Sequence, residues 1–104
     1  MTRRELYTFD GFRLDVPDRR LSKGDVTFRL APNAHDLLVA LVREAGRLVT
    51  KQELLTRVWA DAFVEEGILT VHISDLRKVL GDANRTPAFI ETIPRFGYRF
   101  VAPA

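Results

Sequence analysis

The stretch VEEGILTVHISDLRKVL, residues 64–80, predicts the central helix of this chain. Aliphatic residues recur along it at spacings of four, three and four positions, which places them in one stripe on a single helical face. They are Leu69, Ile73, Leu76 and Leu80. We expect this stripe to pack into a core and Gly81, directly after it, to end the helix.

The side of this helix away from the stripe carries short polar groups rather than evenly spread charges. Hydroxyls and a carboxylate suit base edges, a valine suits thymine methyl groups, and a basic end suits phosphates. This pattern is typical of a helix that enters a groove of DNA, although an ordinary solvated helix face would explain the same residues. The set is Thr70, Val71, Ser74, Asp75 and Lys78, flanked by His72 and Arg77.

Composition excludes several other classes of protein. The 104 residues favour one domain, residues 1–104, and a hydrophobic content of 46% is enough for one core. A chain without cysteine has no disulfide framework, and its two histidines share no ligand spacing, so we predict neither a metal site nor a cofactor. The net charge of +2 permits nucleic-acid binding without requiring it. No apolar run approaches the roughly 18 residues of a membrane span, and we predict no membrane contact by this segment.

The first part of the chain, residues 6–30, predicts a small antiparallel sheet. Short alternating runs are separated by turn signals at Asp10-Gly11 and Lys23-Gly24-Asp25. Such a sheet needs a helix to cover its apolar face. The predicted strands are residues 6–9, 12–15, 20–22 and 26–30.

Residues 32–81 predict three helices, of which the one described above is the third. The first begins at Pro32, after an Ala31 that cannot cap it, and ends at Gly46. Its predicted buried stripe is Ala34, Leu37, Leu38, Leu41 and Ala45. In the second helix, Thr50 and Glu53 form a capping box, and the helix should end near Trp59 or Ala60.

Residues 88–102 predict a hairpin, with strands at 88–93 and 98–102 around a turn at 94–97. Arg95 lies at its tip and Arg99 beside it. A helix-loop-helix pair followed by a basic hairpin is the outline of a winged helix, whose wing contacts the DNA backbone or minor groove. The predicted fold class is therefore α+β: a winged helix-turn-helix with an N-terminal antiparallel sheet of about four strands, three helices and a C-terminal β-hairpin wing.

Three segments resemble the OmpR/PhoB-type winged-helix DNA-binding domains. LVTKQELL at 48–55, followed by Val58-Trp59, resembles their second helix. The string VHISDLRKVLG at 71–81 resembles their recognition helix, and ETIPRFGYRFV at 91–101 resembles their wing. The likeness covers about residues 8–102, and all three segments occur in the family's order.

The resemblance implies sequence-specific binding to double-stranded promoter DNA, with the third helix in the major groove. The base-facing candidates are Thr70, Val71, Ser74 and Asp75; the phosphate-facing candidates are Trp59, His72, Arg77 and Lys78. The wing candidates are Thr92, Arg95 and Arg99. The resemblance also implies contact with RNA polymerase by the segment between the second and third helices, Ala60, Asp61, Ala62, Phe63, Val64 and Glu65.

The chain departs from the family's pattern at three places. Many members carry basic residues where this chain has Ser74 and Asp75, so the preferred bases are not transferable. The wing arginine of some members falls where Pro94 stands, which shifts the arginine to 95. Ala31 occupies the usual polar N-cap.

The resemblance also sets expectations for the whole protein. We expect the chain to be part of a longer cytoplasmic regulator, monomeric in solution and dimeric on DNA. If Met1 is the native start, the arrangement resembles the CadC/ToxR-like one, in which a tethering membrane span and a sensor follow, or a fusion to a cytoplasmic sensor or ATPase. Otherwise a receiver domain precedes it. The operator sequence and the signal sensed are not predicted.

Two classes of function stay open, DNA binding and a winged helix that serves as a protein-interaction module. Salt-dependent binding to duplex DNA separates them. No group of residues predicts an active site. We expect His35 and Asp36 to be surface residues, and Glu65-Glu66 suits the dipole of a helix start.

Two aromatic residues near the predicted DNA face also allow more than one interpretation. Phe96 at the wing tip is either an intercalating wedge or, as we favour, packed on its own hairpin. We expect Trp59 to be partly buried under the helices, with an indole N–H that can still reach a phosphate.

Overall fold

The computed structural model describes residues 5–60, 62–82 and 88–103. A four-stranded antiparallel sheet is followed by three helices, and a three-stranded sheet contains the C-terminal hairpin. This architecture confirms the predicted α+β winged helix-turn-helix. In chain order the elements are β1 (Leu6–Phe9), β2 (Phe12–Asp15), β3 (Arg20–Lys23), β4 (Val26–Phe28), α1 (Pro32–Arg43), β5 (Leu48–Thr50), α2 (Lys51–Val58), α3 (Gly67–Leu80), β6 (Ile90–Ile93) and β7 (Gly97–Phe100).

The N-terminal sheet is a meander in the order β1-β2-β3-β4. Asp10 and Gly11 both have positive φ, 46° and 84°, as the tight turn between β1 and β2 requires. Alternate side chains face inward and are buried, whereas their neighbours are exposed. The buried set is Phe9, Phe12, Leu14 and Leu21. This apolar face is what α1 and the C-terminal residues cover, since Phe9 contacts the rings of Phe89 and Phe100.

The predicted stripe of the third helix is confirmed. Leu69, Ile73 and Leu76 are no more than 1% exposed, and Leu80 is 5% exposed. The predicted capping box of α2 is also present, because Glu53 N donates to Thr50 Oγ1 at 3.1 Å and Thr50 N donates to Glu53 Oε1 at 3.4 Å. These two helices and α1 therefore share one core with both sheets.

A strand that the sequence analysis did not predict, β5, joins the wing to the helices. It pairs with β7, so the wing is a three-stranded sheet in the order β5-β7-β6. The two strands approach closely at Gly97, where a Cβ would lie 2.0 Å from the carbonyl oxygen of Val49. Only glycine fits at that position, which explains the first residue of the Gly-Tyr-Arg-Phe string.

Several predicted boundaries were wrong. The third helix begins at Gly67 rather than Val64, because the turn before it is closed by the shorter bonds from Ile68 N to the Glu65 carbonyl and from Leu69 N to the Glu66 carbonyl. Among the described residues, no side chain caps the helix start. The first helix ends at Arg43, which leaves Ala45 exposed rather than in the buried stripe. Gly46 nevertheless has the predicted left-handed conformation, with φ 86°. The last strand of the first sheet ends at Phe28, and the strands of the hairpin cover 90–93 and 97–100.

The prediction that His35 is a surface residue was wrong, since its side chain is only 3% exposed. Burial and the nearby Arg19 guanidinium lower the pKa of His35, so the neutral imidazole is favoured. Asp36 is half-exposed and accepts a hydrogen bond from Arg19 Nη1 at 2.8 Å. Within the described ranges, no helix is both long and apolar enough to span a bilayer.

Candidate nucleic-acid interface

The outer face of α3 presents the side chains that the sequence analysis assigned to bases. Thr70, Val71, Ser74 and Asp75 are all exposed, and Val71 retains 55% of its accessible surface. Within the described part of the chain, none of the three polar side chains has a hydrogen-bond or ion-pair partner. The buried stripe fixes the rotation of α3, so this face points directly away from the core.

Between α3 and the wing lies an open cleft of about 470 Å³. Its polar groups come from both elements, so a ligand in the cleft would contact the helix and the wing together. The lining residues are Thr70, Ile73, Ser74, Arg77, Lys78, Asp82, Thr92 and Tyr98.

Tyr98 and Asp82 belong to this cleft and were missed by the sequence analysis. The two-residue alternation of a strand could have identified Tyr98, because it places Tyr98 and Arg99 on opposite faces of β7. Register pairs Tyr98 with Thr92, which was assigned to the wing. Asp82 lies between α3 and β6, outside the helical and strand patterns of the sequence, so no pattern predicted that it would line the cleft.

The end of α3 is built as a Schellman motif around Gly81, whose φ is 75°. Asp82 N donates to the carbonyl of Arg77 at 2.8 Å, and Gly81 N donates to that of Lys78 at 3.3 Å. This turn aims the Asp82 carboxylate at the start of the wing, where it accepts hydrogen bonds from the backbone N–H groups of residues 88, 89 and 90 at 2.6, 3.3 and 2.8 Å. Asp82, directly after the end of α3, therefore connects the helix to the wing through these hydrogen bonds.

Arg77 and Thr92, which were predicted as separate DNA contacts, contact each other. Arg77 Nη2 donates to Thr92 Oγ1 at 2.7 Å and to the carbonyl of Ile90 at 2.9 Å. Lys78, the next residue, is exposed and has no ion-pair partner in the described residues. Of the two basic residues at this end of α3, Lys78 is therefore the freer cation.

Trp59 and His72 form a tilted ring pair, with centroids 5.5 Å apart. Trp59 is 8% exposed, as expected for a residue under the helices, and His72 is half-buried. The pair packs the end of α2 against α3, so any phosphate contact by these residues would be made by their ring edges.

The wing tip is a tight turn closed by a hydrogen bond from Phe96 N to the carbonyl of Ile93 at 3.0 Å. Pro94 at its second position and a positive φ of 75° at Arg95 match a type II turn. Glycine normally occupies this position of the turn because of the positive φ. The Arg95 side chain is exposed. Phe96 is 62% exposed, so the expectation that it packs on its own hairpin was wrong. The Phe96 carbonyl is instead held by the N–H of Lys51 at the start of α2.

Arg99 lies on the other face of the wing from Thr92 and Tyr98. Its guanidinium donates to Glu91 Oε1 at 3.2 Å, and both side chains are 40% exposed. The predicted wing residues are thus divided, with Thr92 in the cleft, Arg95 at the wing tip and Arg99 on the opposite face of the wing.

The segment between α2 and α3 is prominent because Phe63 is completely exposed. Ala60, Ala62 and Glu65 are exposed as well, and Val64 is half-buried against the core. Asp61, the remaining residue that was predicted to contact polymerase, lies outside the described residues. Among those described, no three histidine, aspartate or glutamate side chains gather closely enough to hold a metal ion.

Comparison with protein families gives one match, over residues 25–100, to the family described as "Transcriptional regulatory protein, C terminal". The chain is 37% identical over 97 residues to the transcriptional regulator HilA of Salmonella typhi, covering 93% of this chain and 17% of HilA. It is 33% identical over 85 residues to the transcriptional activator CadC of Escherichia coli K12, covering 81% of this chain and 17% of CadC. The chain therefore spans about a sixth of the length of these relatives.

Solved structures with the same fold include the DNA-binding domain of E. coli CadC. It superimposes with a TM-score of 0.82 at 26% identity, over 99% of this chain and 96% of that one. The Klebsiella pneumoniae RstA DNA-binding domain, solved in complex with the RstA box, superimposes with a TM-score of 0.81 at 26% identity, over 93% of this chain and 97% of that one.

Proposed function

The chain belongs to the family of transcriptional regulatory protein C-terminal domains, which are DNA-binding domains of transcription regulators. From that membership we infer that it is the effector domain of a bacterial-type regulator and binds double-stranded promoter DNA in a sequence-specific manner. In this proposal α3 enters the major groove, and the wing lies on the minor groove or the backbone. The similar RstA DNA-binding domain was solved in complex with the RstA box, which supports DNA binding by this fold.

The observation that carries this proposal is the outer face of α3. It combines exposed Thr70, Ser74 and Asp75, which have no partner among the described residues, with an exposed Val71. Short hydroxyl and carboxylate groups lie close enough to a helix to meet base edges, and a valine packs on a thymine methyl group.

Phosphate contacts in this proposal flank the base-reading face. Lys78 at the end of α3 and Arg95 at the wing tip are exposed cations that have no ion-pair partner among the residues described. Tyr98 lines the cleft beside Lys78 and is 5% exposed, and in this proposal its hydroxyl is a further donor toward the backbone. Trp59 and His72 contribute ring-edge N–H groups at the other end of the helix.

Further parts of the proposal concern partners. Phe63 and the neighbouring Ala62 form an exposed apolar projection beside the DNA face, and we propose that residues 60–65 contact RNA polymerase there. In this proposal the domain belongs to a longer regulator and acts in the cytoplasm, where promoter DNA lies. It is monomeric in solution and dimeric on its operator.

Titration of the 104-residue chain against a duplex at several salt concentrations tests DNA binding itself. We expect affinity to fall steeply with salt, and Lys78→Ala to reduce the slope of log affinity against log salt by about one, the effect of one lost phosphate contact. Arg13→Ala is the matched control, because Arg13 is an exposed cation on the outer face of the N-terminal sheet. Salt-independent or absent duplex binding would favour the protein-interaction module instead.

A further inference from the structure

The end of α3 covers the outer edge of the wing. In the part of the chain that the structure describes, β6 pairs with β7 alone, so its other side has no strand neighbour. Val101 N donates to the carbonyl of Phe89, so by the antiparallel alternation the backbone groups of Ile90 point away from β7. Free N–H and C=O groups on such an edge need partners.

Both outward groups of Ile90 are held by the end of α3. Its N–H donates to Asp82 Oδ2 at 2.8 Å, and its carbonyl accepts from Arg77 Nη2 at 2.9 Å. The same Arg77 nitrogen reaches Thr92 Oγ1 at 2.7 Å, two residues further along the strand. We call Arg77, Asp82, Ile90 and Thr92 the helix–wing clamp.

Within the clamp, Arg77 has little capacity left for an outside ligand. Nη2 is committed to two wing oxygens, and Nε is buried without a partner among the described residues. Only Nη1 is free. A guanidinium that is bonded to the wing through Nη2 and buried at Nε is poorly placed to act as a phosphate-binding cation.

We propose that Arg77 is a positioning residue that sets the distance and angle between the recognition helix and the wing. This inference rests on the proposed function, since it assigns to the clamp the spacing between the major-groove and wing contacts. Arg77 then contributes to specificity through geometry, whereas Lys78 beside it contributes charge.

Arg77→Lys separates the two roles because it keeps the charge and loses the planar fork. The lysine ammonium lies one bond closer to the backbone on a flexible stem, so it does not hold the Ile90 carbonyl and Thr92 Oγ1 together as the rigid Nη2 of Arg77 does. Arg99→Lys is the matched control, since it makes the same Arg-to-Lys change in the hairpin that the clamp holds, at a side chain that contacts Glu91 rather than α3. Thr92→Val replaces the hydroxyl by a methyl group, whereas Thr92→Ser keeps the hydroxyl.

Hydrogen exchange of the free domain, followed by NMR, measures the clamp without DNA. The Ile90 amide is held by Asp82 Oδ2 and exchanges when the edge of β6 is released from α3 as a unit. Arg77→Lys removes roughly one of the hydrogen bonds that resist this release, so we expect the Ile90 amide to exchange about five- to tenfold faster. Thr92→Val should show a smaller change in the same direction, and Thr92→Ser and Arg99→Lys should match the parent. Unchanged protection of Ile90 in Arg77→Lys would overturn the proposal.

Binding selections with the same variants measure the consequence for DNA. Arg77→Lys should keep the salt slope of the parent and flatten base preference beside the wing, while preference under α3 persists. A profile identical to that of the parent would show that Arg77 does not set the spacing. If no variant, including the parent, binds duplex DNA, the proposed function fails, and the exchange experiment still decides whether the clamp exists.

Discussion

The carbonyl oxygen of Val49 occupies the space that a side chain on Gly97 would need, since a Cβ there would lie 2.0 Å from that oxygen. This approach lets β5 pair with β7 and ties the wing to the start of α2, where the Lys51 N–H bonds to the Phe96 carbonyl. Any side chain at position 97 would have to push a backbone carbonyl aside.

Gly97→Ala should therefore destabilise the domain by about 1–3 kcal/mol, the usual cost of overpacking, or more if β5 detaches. Gly67→Ala is the control, because its Cβ would meet nothing within 4 Å at the first position of α3. That change should be neutral or stabilising by up to about 1 kcal/mol. Urea denaturation of the two variants measures the contrast, and equal midpoints would contradict the account of Gly97.

Leu76→Ala tests the buried stripe of α3. Leu76 is fully buried, so removing its side chain leaves a cavity and should reduce the free energy of unfolding by about 2–5 kcal/mol. Val71→Ala, on the exposed face of the same helix, should change stability by no more than about 0.5 kcal/mol. A melting temperature of Leu76→Ala within a degree of the parent would place Leu76 outside the core.

Acid stability should depend on Glu5. Hydrogen bonds from Arg43 and Tyr7 lower the pKa of Glu5 from 4.5 to about 2. A carboxylate with a lowered pKa stabilises the fold above its unfolded pKa, so this contribution is lost as pH falls from 4.5 toward 2. Glu5→Gln should have lower stability at neutral pH and a smaller loss over this window.

The difference between Glu5→Gln and the parent is the informative quantity for this experiment. His35, whose pKa is lowered by burial, destabilises both proteins alike as it becomes protonated below its usual range, and Glu53 titrates in both. Their effects cancel in the comparison. Parallel stability curves from pH 6 to pH 2 would show that the Glu5 pair makes no contribution.

Arg95→Gly should move stability and DNA binding in opposite directions. Arg95 holds φ 75° at the wing tip, a left-handed conformation that costs a side-chain-bearing residue about 1–2 kcal/mol. Glycine relieves that cost and removes the guanidinium, so thermal stability should rise slightly while duplex affinity falls. Arg95→Asn also tolerates the conformation and should show the same loss of affinity. An unchanged affinity for duplex DNA in both variants would show that Arg95 does not contact DNA.

The elements that sequence predicted best are those with local signals. The stripe from Leu69 to Leu80 and the Thr50–Glu53 box each depend on residues within one or a few helical turns, and both are as predicted. By contrast, β5 is three residues long and exists because β7, nearly fifty residues away in sequence, lies beside it. Its short run resembles a loop until the wing is in place.

The site shows the same division between local and tertiary information. Exposure of Thr70, Val71, Ser74 and Asp75 follows directly from helical periodicity. The bond between Arg77 and Thr92 joins separate elements, so each residue alone resembled a free DNA contact.

His35 illustrates a signal that was present and not used. The run LLVALV at 37–42 has no polar face and is buried all round, which predicts that neighbouring positions on α1 are enclosed too. A histidine two residues before such a run was therefore a candidate for burial.

The central claim, that α3 reads DNA bases, is tested most directly by comparing the sequences that the parent domain and Asp75→Ala select from a random duplex library. A carboxylate in the groove needs a donor, and the cytosine amino group suits it best, so Asp75→Ala should relax preference at one base pair by about 1–3 kcal/mol. Asp25→Ala is the control, because it removes an exposed negative charge from the N-terminal sheet and should leave the profile unchanged. A parent that selects no sequence, or a profile that Asp75→Ala leaves the same at every position, would contradict base reading by this face of α3.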